Sequence, residues 1–225
     1  MAKTTDKKTE TEAPKERITI PEPKFRIATF ILRGNAPYVS NKFSEEARNI
    51  MRAKQAAGSQ AKKGGKREPK DFQKNYEQSM HTTASGKQGV PATCFRQAMV
   101  SACRIVGFKM TLAKLALFIE PDDIDADDSS PLVMFTKGEP KYFEAFTRNE
   151  TGVADIRARG KWDAGWEIKL RVNYDADMFE ERDVRNLLAR VGVQVGIGAG
   201  RPDSKTSCGQ GWGTFEVLSP TAAAE

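Results

Sequence analysis

In residues 183–217, DVRNLLARVGVQVGIGAGRPDSKTSCGQGWGTFEV, three kinds of signal follow one another. Val184, Leu187, Leu188 and Val191 recur at the spacing of one helical face. Seven glycines come next, at Gly192, Gly196, Gly198, Gly200, Gly209, Gly211 and Gly213, interrupted by Arg201 and Lys205. Residues Thr214–Leu218 then alternate like a strand. A helix, a long glycine-rich loop with two cations and a returning strand make a surface suited to a polyanion, because a residue without Cβ lets backbone N–H groups approach phosphates. The same glycines also suit a long turn that needs their unusual dihedral angles, and the stretch alone does not separate the two readings.

Upstream of this stretch the clearest helix is Pro91–Val106, with Pro91 in the first turn and Gly107 at the stop. Ala92, Phe95, Met99, Ala102 and Val106 form its apolar stripe, which reads as core, and Arg96 and Arg104 lie off it. Lys109–Glu120 reads as a strand with Leu115, Leu117 and Ile119 on one side. Five aspartates follow within 122–128, without the glycine and terminal glutamate of a calcium loop, and read as a solvated acidic loop that also suits a basic patch on a neighbouring copy. Short strands are expected at Leu132–Phe135 and Lys141–Arg148. Asp155–Arg159 and Trp166–Tyr174 then read as a hairpin around Gly160–Gly165. In its second arm Trp166, Ile168, Leu170 and Val172 face one way. In its first, Arg157, Arg159 and Lys161 beside Trp162 set cations next to an aromatic ring, which suits phosphate contact with base stacking as well as an ordinary half-exposed hairpin.

Towards the N-terminus, 1–24 is a Lys, Glu, Thr and Pro-rich arm with little to bury, and Phe25–Arg33 is the first strand. Ser44 reads as the N-cap of a helix carrying Glu45 and Glu46 in its first turn, Arg48, Arg52 and Lys54 on its surface, and Gly58 as its stop. Ser59–Lys70 is a flexible basic loop bearing Lys62, Lys63, Lys66 and Arg67. From Lys42 to Lys74 there are ten Lys or Arg against four Asp or Glu, a surplus of 10 − 4 = 6, which equals the net charge of +6 for all 225 residues. Concentrated charge of this kind is the footprint of a nucleic-acid binder, and a solvated loop carries it equally well. Asp71–His81 is a weak helix and Thr82–Gly89 a turn-rich link. His81, the one histidine, reads as an ordinary hydrogen-bonded residue rather than a catalyst.

Function classes are also excluded. Cys94, Cys103 and Cys208 match no zinc spacing, so neither a metal nor a cofactor is expected. No apolar run approaches the ~18–20 residues that span a bilayer, so no membrane partner is expected, and a cytoplasmic setting follows. Stripped of insertions, the element order is β-α-β-β-α-β, an α+β topology of the ferredoxin-like or RNA-recognition type.

Here the residues carry a resemblance. Gly192–Val217, with its glycine-rich run ending in GWGTFEV, resembles the glycine-rich loop of the RAMP superfamily and is most similar to the repeated backbone subunit of CRISPR effector complexes. The first strand running into RGNAPYVSNKFSEEA is similar to the opening strand and turn of the same proteins, and the whole chain also resembles an uncharacterised family found in phages and prophages. The resemblance implies one domain over 25–218 with a palm-like sheet, a finger-like basic insertion at 42–90, a thumb-like hairpin insertion at 121–165 and a short tail at 219–225. It further implies a ribonucleoprotein role: binding single-stranded, guide-type RNA, with a complementary target strand as a further partner, while copies of the chain stack head to tail into a helical filament with or without other effector subunits. Arg33, Asn41, Lys42, Arg48, Arg52, Lys62, Lys63, Lys66, Arg67, Arg96, Arg157, Arg159, Trp162, Gly196, Gly198, Gly200, Arg201 and Lys205 are then the expected nucleic-acid contacts. Members that cut RNA use an acidic residue near the start of the domain. Gly34–Lys42 holds only Asn35 and Asn41 there, which implies binding without cutting. A phage single-strand DNA-binding or annealing protein, and a small metal-independent endoribonuclease using His81, are the alternatives.

Overall fold

In the computed structural model, residues 20–43, 45–57, 71–148, 154–204 and 210–218 are described. The chain is α+β, with five α-helices and two mostly antiparallel sheets among these residues. The first strand, β1, spans Phe25–Gly34. Its even-numbered residues Ala28, Phe30 and Leu32 are buried at 0–6% exposure while Ile27 and Ile31 face out, as a strand with one covered face requires. A two-residue strand β2 (Tyr38–Val39), helices α1 (Glu45–Ala57) and α2 (Phe72–Gln78), and the hairpin β3 (His81–Thr82) and β4 (Gln88–Pro91) follow. Asp71 caps α2 by accepting from the Lys74 N–H, as its position before the helix predicts.

Helix α3 (Ala92–Cys103) follows its N-cap Pro91 and buries Ala92, Phe95, Met99 and Ala102, so these four of the predicted stripe are core, whereas the helix stops three residues short of Val106, which is 49% exposed. Residues 109–116 depart from the sequence expectation. They form α4 (Met110–Ala116), and only Leu117–Glu120 is the strand β5. MTLAKLA is built of strong helix formers, and Ala113 and Ala116, one turn apart, are the buried pair, whereas Leu115 is 68% exposed. Strands β6 (Asp123–Ile124), β7 (Pro131–Lys137), β8 (Lys141–Arg148), β9 (Ala154–Trp162) and β10 (Glu167–Asp175) come next. Then α5 (Glu181–Arg190) runs through a single π-helical turn, Val191–Val195, into the glycine-rich loop, and β11 (Phe215–Val217) closes the chain.

The larger sheet runs β11-β1-β10, and the far edge of β10 is shared: β5 pairs with residues 171–174, and β7 with Glu167 and Ile168. Beyond β7 the sheet continues to β4 and β3. Helices α3 and α5 cover its buried face, where Phe95 and Met99 meet Leu188, Val184, Leu170 and Val172 in one cluster. Each such side chain stabilises by about 1.5–3 kcal/mol, against about 0–1 kcal/mol for an exposed ion pair such as Lys24–Asp177, so the apolar layer holds the sheet.

The hairpin expected between 155–159 and 166–174 does not form. β9 pairs with β8 and β2 in the second sheet, whereas β10 pairs with β1 in the first. The chain changes sheets between Asp163 and Trp166 because both tryptophans flanking the turn are drawn inward, each at 1% exposure. Tyr38, Phe135, Trp162, Trp166 and Phe215 pack ring against ring there, and Trp166 donates its indole N–H to the Ala36 carbonyl at 2.9 Å. This aromatic joint fixes one sheet against the other.

Two glycines explain the exit from α5. At Gly192 a Cβ would lie 2.0 Å from the Phe215 carbonyl oxygen, and at Gly213 (φ +67°) one would lie 1.8 Å from that of Ile197. The π-turn closes with the Gly196 N–H donating to Val191 O at 2.7 Å. Among the described residues, no helix is long and apolar enough to cross a membrane.

Candidate nucleic-acid interface

The glycine-rich loop and the second sheet are joined edge to edge through β2. The Ala199 N–H donates to Val39 O at 2.9 Å, and the Gly213 N–H to Pro37 O at 2.7 Å. On its other side β2 pairs with β9, Val39 opposite Lys161, and β9 pairs with β8. Loop, β2, β9 and β8 therefore lie side by side. Directly opposed residues share a face, so the register places Lys141 with Lys161, Phe143 with Arg159, and Ala145 with Arg157 on one surface. Lys161 Nζ sits 5.0 Å from the Phe143 ring centroid. Trp212 of the loop meets the same ring edge-on at 5.5 Å, which carries the loop onto the hairpin.

Charge on this surface is unevenly compensated. Arg157 pairs with Asp155 at 3.1 Å, and Asp163 serves Lys141 at 2.6 Å and Lys161 at 3.8 Å. The Lys141 hydrogen bond holds the Asp163 carboxyl below the usual carboxylate range. Arg201 donates to the Gly198 carbonyl at 3.2 Å. Arg159 differs from all of these. It is only 8% exposed, yet it makes no ion pair and donates no side-chain hydrogen bond among the described residues. Burial first, and the neighbouring Arg157 charge second, pull its guanidinium down to about 10, so it remains a cation at neutral pH. Buried charges are ordinarily paired, because desolvating one without a partner costs several kcal/mol (roughly). The Arg159 nitrogens reach solvent rather than a carboxylate, and a largely buried cation with that opening, flanked by other cations, suits an anion.

Next to β2, α3 and the loop border a solvent-open cavity of about 330 Å³ lined by Tyr38, Asn41, Gln97, Ser101, Gly196, Gly198 and Arg201. The N–H groups of Gly198 and Arg201 have no backbone acceptor among the described residues. Asp203 is anchored on the cavity's α3 side, accepting from Ser101 at 2.5 Å and Arg104 at 3.0 Å, and the Ser101 bond leads in holding its carboxyl below the ordinary value.

The structure thus brings together Asn41, Arg157, Arg159, Gly196, Gly198, Gly200 and Arg201 of the expected contacts. Gly200 lies against Trp212. Lys62, Lys63, Lys66, Arg67 and Lys205 lie outside the described residues, as do the Ser44 cap and the Gly58 stop. The remaining residues are occupied elsewhere. Trp162 is a core residue, its ring stacked on Phe135 at 4.6 Å and 12°, and closed to a base. Arg96 donates to the Leu117 carbonyl at 2.9 Å and to that of Lys114, capping α4, and covers the Phe118 ring. Arg33 pairs across the strand with Glu167 at 3.0 Å. Arg52 donates to Asn49 on α1.

Lys42 and Arg48 are neutralised within the chain. Lys42 Nζ lies 2.7 Å and 2.9 Å from the two Asp125 carboxylate oxygens and 3.3 Å from Asp127, and Arg48 bonds to Asp127. His81 Nδ1 meets Asp125 at 2.9 Å. The acidic run is therefore not a simple solvated loop: Asp125 is 1% exposed and ties β3 to the segment after β2, and Asp127 adds α1 through Arg48. Burial pushes the Asp125 carboxyl up, but hydrogen bonds from Lys42, the Asp127 N–H and His81 outweigh it and hold it below the ordinary value. Burial lowers His81 more than the Asp125 contact raises it. His81, Asp125 and Asp128 present ligand atoms within 4.8 Å of one another, but both Asp125 oxygens are already bonded to the Lys42 ammonium.

Sequence reasoning missed Phe143, Gln97 and Trp212. An aromatic inside GQGWG was a usable signal for Trp212, since a glycine-rich loop offers it no local core. Phe143 and Gln97 carry no signal until the register and the helix face are known. No protein-family model matches this chain, and no curated protein matches it in sequence.

Proposed function

We propose that the chain is a non-catalytic binder of single-stranded nucleic acid, RNA above all, which it grips by its phosphates along β8–β9 and the glycine-rich loop. The observation that carries this is Arg159: a buried guanidinium without a carboxylate, between Arg157 and Lys161 and opposite an aromatic ring. Half-buried aromatics interleaved with cations are what a flexible, unpaired strand needs, because bases stack on rings while phosphates meet charge. The antiparallel order β11-β1-β10-β5 with α3 and α5 on one face supports reading the larger sheet as a ferredoxin-like, RAMP-type palm, with β8–β9 as its thumb-like hairpin. Phe146, 78% exposed and opposite Ile156, 37% exposed, on that hairpin, supports contact with another copy of the chain in a head-to-tail filament.

Salt dependence tests the phosphate grip. If Arg157, Arg159, Lys161 and Arg201 each neutralise one phosphate, the slope of log K against log salt is about −3 for a single strand, so affinity falls about 50-fold between roughly 50 and 200 mM salt. Fluorescence anisotropy with a labelled mixed-sequence 12-nucleotide RNA measures it. An affinity unchanged across that range contradicts the proposal.

A further inference from the structure

We infer that the cavity between α3 and the glycine-rich loop accepts one unstacked nucleobase of the bound strand and prefers adenine or cytosine to uracil. This rests on the strand-binding reading above. The cavity meets the strand-binding surface through the loop, since Arg201 lines it and Ala199, next to the lining Gly198, is hydrogen-bonded to β2, while Tyr38 on its wall shares the face of Trp162 rather than that of Arg159 and Lys161. At about 330 Å³ it is a small-ligand volume, at the low end of the roughly 300–1,000 Å³ range, and too narrow for a base pair with its backbone.

Its walls divide by chemistry. Tyr38, Cys94, Ala98, Val195 and Ile197 give an apolar side on which a flat ring can lie, and burial keeps both the Tyr38 hydroxyl and the Cys94 thiol protonated, so that side carries no charge. Gln97 and Ser101, one turn apart on α3, and Asn41 across from them give the polar side. Asn41 and Gln97 are exposed on the cavity's open side, and their side-chain amides bond to no other described residue, which leaves them available to a ligand. A carboxamide donates to a ring nitrogen and accepts from the exocyclic amine beside it, the pairing that amides make with adenine. Asp203 supplies the discrimination. It is held ionised by Ser101 and Arg104, so it attracts an amine and repels the two carbonyls of uracil. Arg201 and the free Gly198 N–H stand at the rim, where the phosphate of the inserted nucleotide passes.

The test uses the full chain and 12-nucleotide RNA oligomers of adenosine, cytidine and uridine at one fixed salt concentration. Wild type binds the adenosine and cytidine oligomers about tenfold more tightly than the uridine oligomer, one well-formed base contact. Gln97→Ala brings the three to within about twofold while the salt slope stays as in wild type. That control separates base reading from stronger stacking of adenine on Trp212, which Gln97→Ala leaves in place. Equal affinity for all three oligomers in wild type, or a preference that survives in Gln97→Ala, overturns the base pocket and leaves the phosphate grip standing. No binding to any oligomer overturns both. Adenosine monophosphate alone competes only at millimolar concentration; competition at micromolar concentration places a free nucleotide, not a strand, in the cavity and overturns the inference.

Discussion

Asp125→Ala is expected to destabilise the protein by about 3–5 kcal/mol, the cost of removing one member of a buried ion pair. Set against a total stability of roughly 5–15 kcal/mol, that loss unfolds much of the population under mild denaturant. The Lys42 side chain is 7% exposed and bonded to both Asp125 oxygens, so the variant leaves an ammonium buried beside an empty space. The Asp127 and Asp128 backbone N–H groups lose their acceptor as well. Equilibrium urea denaturation measures the loss. The double variant Lys42→Met with Asp125→Leu removes both charges and recovers most of it. A single-variant loss below about 1 kcal/mol puts the network among ordinary surface pairs. The same contacts fix a pH dependence. His81 has a folded pKa below its ordinary 6.5, so its protonation favours the unfolded chain, and stability drops as pH falls from 6.5 through that lowered value. Asp125 has a folded pKa below 3.8. Its contribution is complete above 3.8 and is lost as pH falls further, through the depressed value. Both groups act in one direction, towards acid instability.

Arg159→Met is expected to weaken strand binding about 10- to 100-fold, the worth of one or two hydrogen bonds to a charged group, without weakening the fold. The two halves of that expectation have one cause. In the free protein the Arg159 cation is buried without a carboxylate and beside a like charge, so an apolar side chain of similar length leaves stability unchanged or raises it. In the complex the same cation faces an anion away from water, where a contact is strongest. Residues kept for packing show the opposite pattern, losing stability first. Thermal denaturation and anisotropy on the same preparation decide between them. A lower melting temperature with unchanged binding assigns Arg159 to the architecture of the second sheet.

Local periodicity was readable in the sequence wherever one element buries one face. Phe95, Met99 and Ala102 on α3, and Ile168, Leu170 and Val172 on β10, occupy the positions their spacing requires. Failures came where partners are distant. Nothing near residues 155–174 announces that β9 joins β8 and β2 while β10 joins β1, since two alternating strands separated by glycines read equally well as a hairpin. Lys42 and Asp125 are 83 residues apart, so the basic segment and the acidic run gave no sign of neutralising each other. In 109–120, Leu115, Leu117 and Ile119 alternate and mimic a strand throughout, and the buried alanines that decide for a helix over 110–116 are too small to register as a pattern. Trp162 is a different case. It stands three residues from Arg159, an odd separation on a strand, so its ring belongs on the face opposite the cations, as the alternation rule already required. For the candidate interface, charge and glycine content picked out Arg157, Arg159, Gly198 and Arg201. Two residues of β2 bring them together, a link too short to read as a strand.

The interface is tested most directly by ultraviolet cross-linking of the full chain to a bound single-stranded RNA, followed by mass spectrometry of the adducted peptides. Adducts are expected on peptides containing Phe143, Arg157–Lys161 and Gly196–Trp212, and they are expected to fade as salt rises. Adducts confined to the α1 segment or to the N-terminal arm, with none on the β8–β9 hairpin or the glycine-rich loop, contradict the assignment of that surface to a nucleic-acid strand.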